Sequence, residues 1–597
     1  MEKFKAVKSG GKNVVSIRAY KGDAMTFLAF DLDKSMLDGF AGFSIHVKFG
    51  NKKGYYLFNR LAFKKEILAA SGIDDDEKLS SEFSPFQKFN WVHVPSTNHN
   101  LDKPFFGNYT YSITPRFLKK NVLAPLNKKL TASVTIDVSP FVSKGTSVGF
   151  ARAFVSSQAY ATRFGMNNQM RPKGNDLMFD VMQDVAVKPP TKPYTYEAQH
   201  KYLGWQARER VMDFLDETLK NKKMSLDIFA YDLNEPVIVQ KLIELAKQGR
   251  LRIILDNAGE HGKKNSYENQ FEDLFKKKAK KSSVLARGHF ISLSHSKIFI
   301  QKSGGTPKKV LTGSTNFSTN GIYVNANHVV IFDNKAVAKL YEDMFEASLG
   351  QELMDKFKVH DLAITDHVVK QKGMPDMTIR FSPHNKTVAQ TFFDKISTRI
   401  NSATSDVLFA IMKDTSKSGI LEAIENQVKK DKVFTYGITD SISAKTGYSV
   451  SLYKPNSKKG IRVAGKGGSV RNILPKPFDT VPKIDGYSIH HKFVVVDFKG
   501  KDPTVYCGSS NLAFGPEQAN GDNLLEIRDR DITTAFAIEA LRLVDHFHWR
   551  NTKAADAKEL NLDDLKDKKE IWYKRYYSSK DIRCLERVKF ISEPAKK

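Results

Sequence analysis

Cysteine is almost missing from this chain: 597 residues hold two, Cys507 and Cys584. Two are too few for a disulfide scaffold, and neither has metal-site spacing. Cys507 closes an apolar run and reads as a small core residue. A reducing, cytoplasmic setting is the expectation. No apolar run approaches the length of a membrane-spanning helix, so no span is expected. The stretch Met1 to Gly11 lacks the apolar core of a signal peptide. Acidic residues are in deficit: 66 Asp and Glu against 94 Lys and Arg give a net charge of +28. An excess this large predicts polyanionic partners, nucleic acid first and an anionic phospholipid membrane as the alternative.

The chain is too long for one core and calls for three or four domains. Hydrophobic content of 41% and aromatic content of 11% fit a globular protein. The first 188 residues alternate apolar and polar positions in short runs, at Val14–Tyr20, Thr26–Phe30, Phe43–Phe49, Tyr109–Ile113, Ala132–Val138 and Val148–Val155. Period-two runs separated by Gly, Asn and Lys turns predict a β-sandwich-like domain. Paired prolines at Pro189 and Pro190 mark a linker over 189–199.

From residue 200 the pattern changes. A helical spacing over Trp205–Leu219 precedes a strand at Leu226–Tyr231, a helix at Glu235–Lys247 and a strand at Leu251–Asp256; Gly249 stands where a helix C-cap belongs. A closing helix is predicted over Ala336–Leu349. The same order returns in a helix at Val388–Ile400, a strand at Asp406–Met412, a helix at Ser418–Lys430, a strand at Val433–Ile438 and a closing helix at Thr533–Phe547. Matched element order predicts an internal duplication.

Each half also carries one short motif pair. His295-Ser296-Lys297 is followed by Gly313-Ser314-Thr315-Asn316; about 195 positions later, His490-His491-Lys492 is followed by Gly508-Ser509-Ser510-Asn511. On a strand, His295 and Lys297 share a face, as do His490 and Lys492. His491 then faces away and reads as a packing or surface residue. Two imidazoles, two lysines and two amides suit a phosphodiester: one imidazole attacks phosphorus, the other protonates the leaving oxygen, and Lys297, Lys492, Asn316 and Asn511 hold the anionic oxygens. Ser314 and Ser509 either donate to the substrate or satisfy turn backbone.

This pattern resembles the phospholipase D superfamily, whose members share H-x-K-x4-D and a downstream G-S-x-N. The second copy matches throughout, with Asp497 as the aspartate; the first has Lys302 there, read as a solvent-facing strand end. The resemblance covers roughly residues 200–550 and implies an α/β fold of two pseudo-symmetric phospholipase D-like α/β/α repeats, 200–358 and 359–550, with a charged tail over 551–597. It also implies an acidic residue about eleven positions after each G-S-x-N asparagine. That place holds Asp522 in the second half and Asn327 in the first. The expectation is that Asp522 raises the basicity of His490, while Asn327 only orients His295. Family precedent leans towards His295 as nucleophile and His490 as acid. The implied mechanism is two in-line displacements through a covalent phosphohistidine, with no metal and no cofactor required.

Substrate choice rests on charge. The stretch Ser441–Lys483 holds nine Lys and Arg, Lys458, Lys459 and Arg462 among them, against one acid, Asp479, together with Tyr448 and Tyr453. A basic loop with aromatics at the mouth of the site suits tracking a phosphate backbone. A second run, Lys276–Lys281, precedes the first H-x-K. A metal-independent nuclease is the leading expectation. A phospholipase D or phosphatidyl transferase acting on membrane lipid is the alternative, and a non-catalytic nucleic-acid-binding scaffold the third.

Overall fold

The computed structural model of the chain describes residues 2–95, 104–153, 158–167, 169–187, 191–412, 418–428, 430, 433–439, 462–465, 488–550 and 560–595. The N-terminal part holds two antiparallel sheets. One runs Glu2–Ser9, Lys12–Lys21, Thr26–Leu32, Asn90–His93. The other runs Tyr55–Tyr56, Phe40–Phe49, Gly107–Lys119, Val122–Leu123, with Ala132–Val138 also paired to Gly107–Lys119. The period-two reading holds in Ala132–Val138, where Ala132, Val134, Ile136 and Val138 are buried while Ser133 and Thr135 are exposed. Ile17 and Phe30 from one sheet meet Phe43, Ile45 and Tyr111 from the other in one core.

Two eight-stranded sheets follow. The first runs Val142–Ser143, Thr146–Phe150, His328–Phe332, Thr306–Gly313, Ile298–Ser303, Met224–Ala230, Leu251–Leu255, Val284–Arg287. The second runs His367–Val369, Asp376–Ser382, Asp522–Arg528, Thr504–Gly508, Lys492–Val496, Asp406–Ile411, Phe434–Thr439, Arg462–Gly465. In both, the pairings are antiparallel until the strand after the motif strand, then parallel to the far edge. Helices Tyr196–Lys220, Pro236–Lys247, Lys386–Asn401 and Arg530–Arg550 accompany the sheets near the positions read from the sequence. Glu235 caps its helix by accepting from the Ile238 N–H, and Gly249 has φ of 75°.

Three expectations change. Thr146–Phe150 was assigned to the N-terminal domain of residues 1–188, yet it pairs with His328–Phe332 and belongs to the first eight-stranded sheet. Alternation gives a strand its faces but not its sheet. The linker is tied down as well: the Val185 N–H bonds the Tyr194 carbonyl at 2.8 Å, and the helix has begun by Tyr196.

The third concerns the C-terminal region, which is packed rather than a tail over residues 560–595. Strand Lys12–Lys21 is buried on both faces after Asn13, and one of them needs a cover. Helix Ile582–Ile591 supplies it: Phe590 meets Phe27 at 4.9 Å, and Arg18 Nε donates to the Ile591 carbonyl at 2.9 Å. Phe590 also meets Phe434 of the second eight-stranded sheet at 5.2 Å, so this helix joins two parts of the chain. Residues 551–559 lie outside the described residues.

Candidate active site

The motifs sit where the sheets end. Each H-x-K lies at the entry of a sheet strand, Ile298–Ser303 or Lys492–Val496, rather than within it. His295, Lys297, His490 and Lys492 are all buried. Each lysine folds back on its own motif. Lys297 Nζ donates to the His295 carbonyl, and Lys492 Nζ donates to the His490 carbonyl at 2.7 Å.

The glycine of each G-S-x-N has a steric reason. Gly313 and Gly508 have φ of 143° and 136°. A Cβ would stand 2.3 Å from the His328 carbonyl oxygen at Gly313, and 2.4 Å from the Asn523 carbonyl oxygen at Gly508. Only glycine lets these strand ends approach the strands that follow Asn327 and begin at Asp522.

Those two residues cross between the halves. Asp522 Oδ1 lies 2.7 Å from Nδ1 of His295, and Asn327 Oδ1 lies 2.9 Å from Nδ1 of His490. The sequence reading paired each with the histidine of its own half, so the assignment is reversed. The cause is the interlocking of the halves. The Gly521 N–H bonds the Leu293 carbonyl at 2.8 Å, and the Ala326 N–H bonds the Ser488 carbonyl at 3.0 Å. Each strand end is thereby carried to the opposite motif. The tautomers follow. Asn327 donates its Nδ2 to the Gly321 carbonyl at 2.7 Å, which fixes its oxygen towards His490. His490 Nδ1 faces that oxygen and the Ser314 carbonyl at 3.1 Å, so it carries the proton and leaves Nε2 bare. The carboxylate of Asp522 imposes the same tautomer on His295.

The electrostatics tie the groups into one site. Burial pushes His295 well below its usual range, and Lys297 and Lys492 push it further. Burial, Lys492, Lys297 and His295 do the same to His490. Each histidine therefore feels the lysines of both halves. Burial lowers Lys297 to about 7 against the pull of Asp522, Asp232 and Asp256. Burial raises Asp522 to about 7 against Lys297.

The other predicted residues divide. Ser314 Oγ donates to Asn327 Oδ1 at 2.8 Å, and Ser509 Oγ accepts from the Asn523 N–H at 3.0 Å; both hydroxyls hold scaffold. The amide oxygens of Asn316 and Asn511 are buried without a hydrogen-bond partner, and Asn316 Nδ2 reaches Asp232 only at 3.4 Å. Lys302 is not a solvent-facing strand end. It is buried and bonds Asp227 at 2.7 Å. Asp497, at the matching place, accepts the backbone N–H groups of Thr404 and Ser405 at 2.9 and 2.7 Å and pairs with Arg399. Both are staples of the strand ends. His491 is buried and bonds Glu539 at 3.1 Å and His328 at 3.1 Å, a packing role. Lys276, Lys277 and Lys278 are exposed at a helix end. Lys458 and Lys459 lie outside the described residues; Arg462 opens the edge strand of the second eight-stranded sheet.

Sequence reading missed the residues around His295. The Tyr231 ring stands edge-on to His295 at 4.8 Å and to His261 at 4.5 Å, with Lys297 Nζ 4.8 Å from its centre. Asp256 accepts from the Ser294 N–H at 2.6 Å and bonds His261 at 2.9 Å. Tyr231 and Asp256 are the last residues of the predicted strands Leu226–Tyr231 and Leu251–Asp256 and directly follow the observed ones, and that position at a strand's C-terminal end was the available signal. Asp232, His261 and Glu268 each bring one potential ligand atom within 4.8 Å of the others, a set that could hold a cation. Among the described residues, no helix is long and apolar enough to cross a membrane.

Residues 215–349 match the family described as cardiolipin synthase, PLD-like domain, a span that includes the first H-x-K and G-S-x-N. No curated protein matches the chain. Among solved structures, polyphosphate kinase from Porphyromonas gingivalis is 12% identical with a TM-score of 0.38, covering 56% of this chain and 48% of its own. The chain thus spans about half the length of that enzyme. Phosphatidylserine synthase of Haemophilus influenzae Rd KW20 is 11% identical with a TM-score of 0.40, covering 64% of this chain and 93% of its own. Yeast tyrosyl-DNA phosphodiesterase is 11% identical with a TM-score of 0.28, covering 53% and 88%. At such scores these three likenesses decide no substrate. Residues 215–349 thus carry a phospholipase D-like domain, which supports placing the chain in the phospholipase D superfamily.

Proposed function

We propose that the chain is a metal-independent phosphodiesterase acting on nucleic acid, with one site shared by two halves of a duplicated unit. The observation that carries the chemistry is the crossed pairing of His295 with Asp522 and His490 with Asn327 beside two buried lysines. His295 Nε2 attacks phosphorus, forming a nitrogen–phosphorus bond as the bond to the leaving oxygen breaks. His490 delivers the proton that oxygen takes. Water then gives a proton to His490 and attacks phosphorus, which releases His295.

Asp522 supports His295 as nucleophile because a carboxylate on Nδ1–H strengthens the lone pair of Nε2. A neutral amide suits His490, which must give its proton up. Lys297, Lys492, Asn316 and Asn511 receive the non-bridging oxygens. The arriving phosphodiester brings the negative charge that His490 needs in order to hold a proton among the lysines. The net charge of +28 favours a polyanionic substrate.

Lipid is the competing reading, because the matched family description names a cardiolipin synthase. The test incubates the chain in excess chelator with plasmid, single-stranded DNA, RNA and anionic liposomes, beside His295→Ala and His490→Ala. Nucleic-acid cleavage lost in both variants supports the proposal. Head-group release or transfer with intact nucleic acid selects lipid chemistry. Binding without turnover, unchanged in both variants, selects a scaffold.

A further inference from the structure

We propose that Arg152, Tyr202 and Trp205 form a stacking platform for single-stranded nucleic acid on the leaving-group side of the site, an inference that rests on the nucleic-acid reading above. The Arg152 guanidinium lies 4.3 Å from the centre of the Tyr202 ring and 4.2 Å from that of Trp205. Phe106, 37% exposed, meets Trp205 edge-on at 6.1 Å and extends the surface. Arg163 also stands over Tyr202, at 5.6 Å, so two guanidinium groups share one ring. Arg152 makes no ion pair among the described residues, and its Nε is buried without an acceptor. A buried guanidinium N–H without an acceptor, as at Arg152, is a place for an anion.

The backbone adds an independent sign. Trp205 breaks the helix Tyr196–Lys220 with φ of 45° and ψ of −134°, a conformation that bulky side chains avoid. Its indole N–H is buried and unpartnered. The helix therefore gives up both regular geometry and a hydrogen bond to hold this ring beside Arg152.

The platform is joined to the site by the chain itself. The Ala151 N–H bonds the carbonyl of Asn327, the residue that holds His490, at 3.0 Å. The Ala153 N–H bonds the Leu203 carbonyl at 3.1 Å. Arg152 lies between these two ties, one residue along the backbone from the bond to Asn327, whose side chain holds the histidine assigned to the leaving oxygen. Planar bases stack on aromatic and guanidinium faces without sequence preference, and the phosphates between them meet the arginines. A lipid head group offers no such plane.

The test uses the full chain. Binding of a fluorescein-labelled thymidine oligomer is followed by anisotropy in a His295→Asn background, which keeps the oligomer intact. Arg152→Gln and Trp205→Gly are added singly; glycine accepts the backbone at position 205 while removing the ring. Tyr202→Leu replaces either variant if its thermal midpoint shows misfolding. Each substitution is expected to weaken binding by roughly tenfold. Unchanged oligomer affinity, with the parent binding and cleaving nucleic acid, overturns the platform alone. Loss of binding to phosphatidylserine vesicles with oligomer binding intact overturns it too, and assigns the patch to membranes. A parent that neither binds nor cleaves the oligomer overturns the nucleic-acid reading, and the platform with it.

Discussion

Asp522 and Asn327 hold matching places in the two halves and differ in little more than charge, and that difference divides the two histidines. Burial raises Asp522 to about 7, so it gains a proton as pH falls through neutrality. Once protonated, it no longer draws on Nδ1–H of His295. The acid limb of kcat should therefore fall below about pH 7. Asp522→Asn should lower kcat by roughly 100- to 10,000-fold with little change in KM, and should flatten that limb. Steady-state kinetics across pH on a chromogenic diester reads both.

Lys297 gives a signed prediction of stability. Burial holds its pKa at about 7 when folded against the ordinary 10.5, so between these values the unfolded chain binds the extra proton. Stability then rises with pH across that window, by about 1.4 kcal/mol per unit. Lys297→Met removes the term. The variant should be inactive and more stable than the parent at pH 7, with the gap narrowing as pH approaches 10. Urea titrations at several pH values measure it; a gap independent of pH would refute the assignment.

At the scale of elements, the two halves close their strand ends with different chemistry. Asp497 gathers backbone N–H groups and Arg399, while Lys302 pairs with Asp227. Neither is among the hydrogen-bond partners of the catalytic candidates. Asp497→Ala should destabilise the chain by about 3–5 kcal/mol, because it leaves buried partners unpaired. Turnover per folded molecule should stay at the parental value well below the melting transition. Gly508→Ala should lose both stability and activity, since its Cβ would meet the Asn523 carbonyl oxygen.

These elements also mark what a sequence can reveal. The H-x-K and G-S-x-N residues were legible because each motif is local and occurs twice. The helices and inner strands were legible from their periods. The crossing of Asp522 to His295 was not, because it depends on which strand end faces which across the halves. Thr146–Phe150 has the same alternation as its N-terminal neighbours, and nothing in its five residues names its sheet. Tyr231 and Asp256 carry no motif and enter the site only because strands end there.

At the scale of the whole molecule, the N-terminal sheets, the second half and the C-terminal helix share packing through Phe590. Phe590→Ala should cost about 3–5 kcal/mol. Calorimetry should show one transition shifted downward; an early, separate melting of the N-terminal sheets would show that the helix does not couple them.

The central claim is one site made by both halves, with His295 as the atom donor to phosphorus. Rapid quench in alkaline denaturant during turnover, followed by peptide mass spectrometry at neutral to alkaline pH, tests it most directly. A phosphoryl adduct on His295 that accumulates in His490→Asn and disappears in His295→Asn is the expected result. An adduct on His490, or undiminished turnover by the His295→Asn chain, would contradict it.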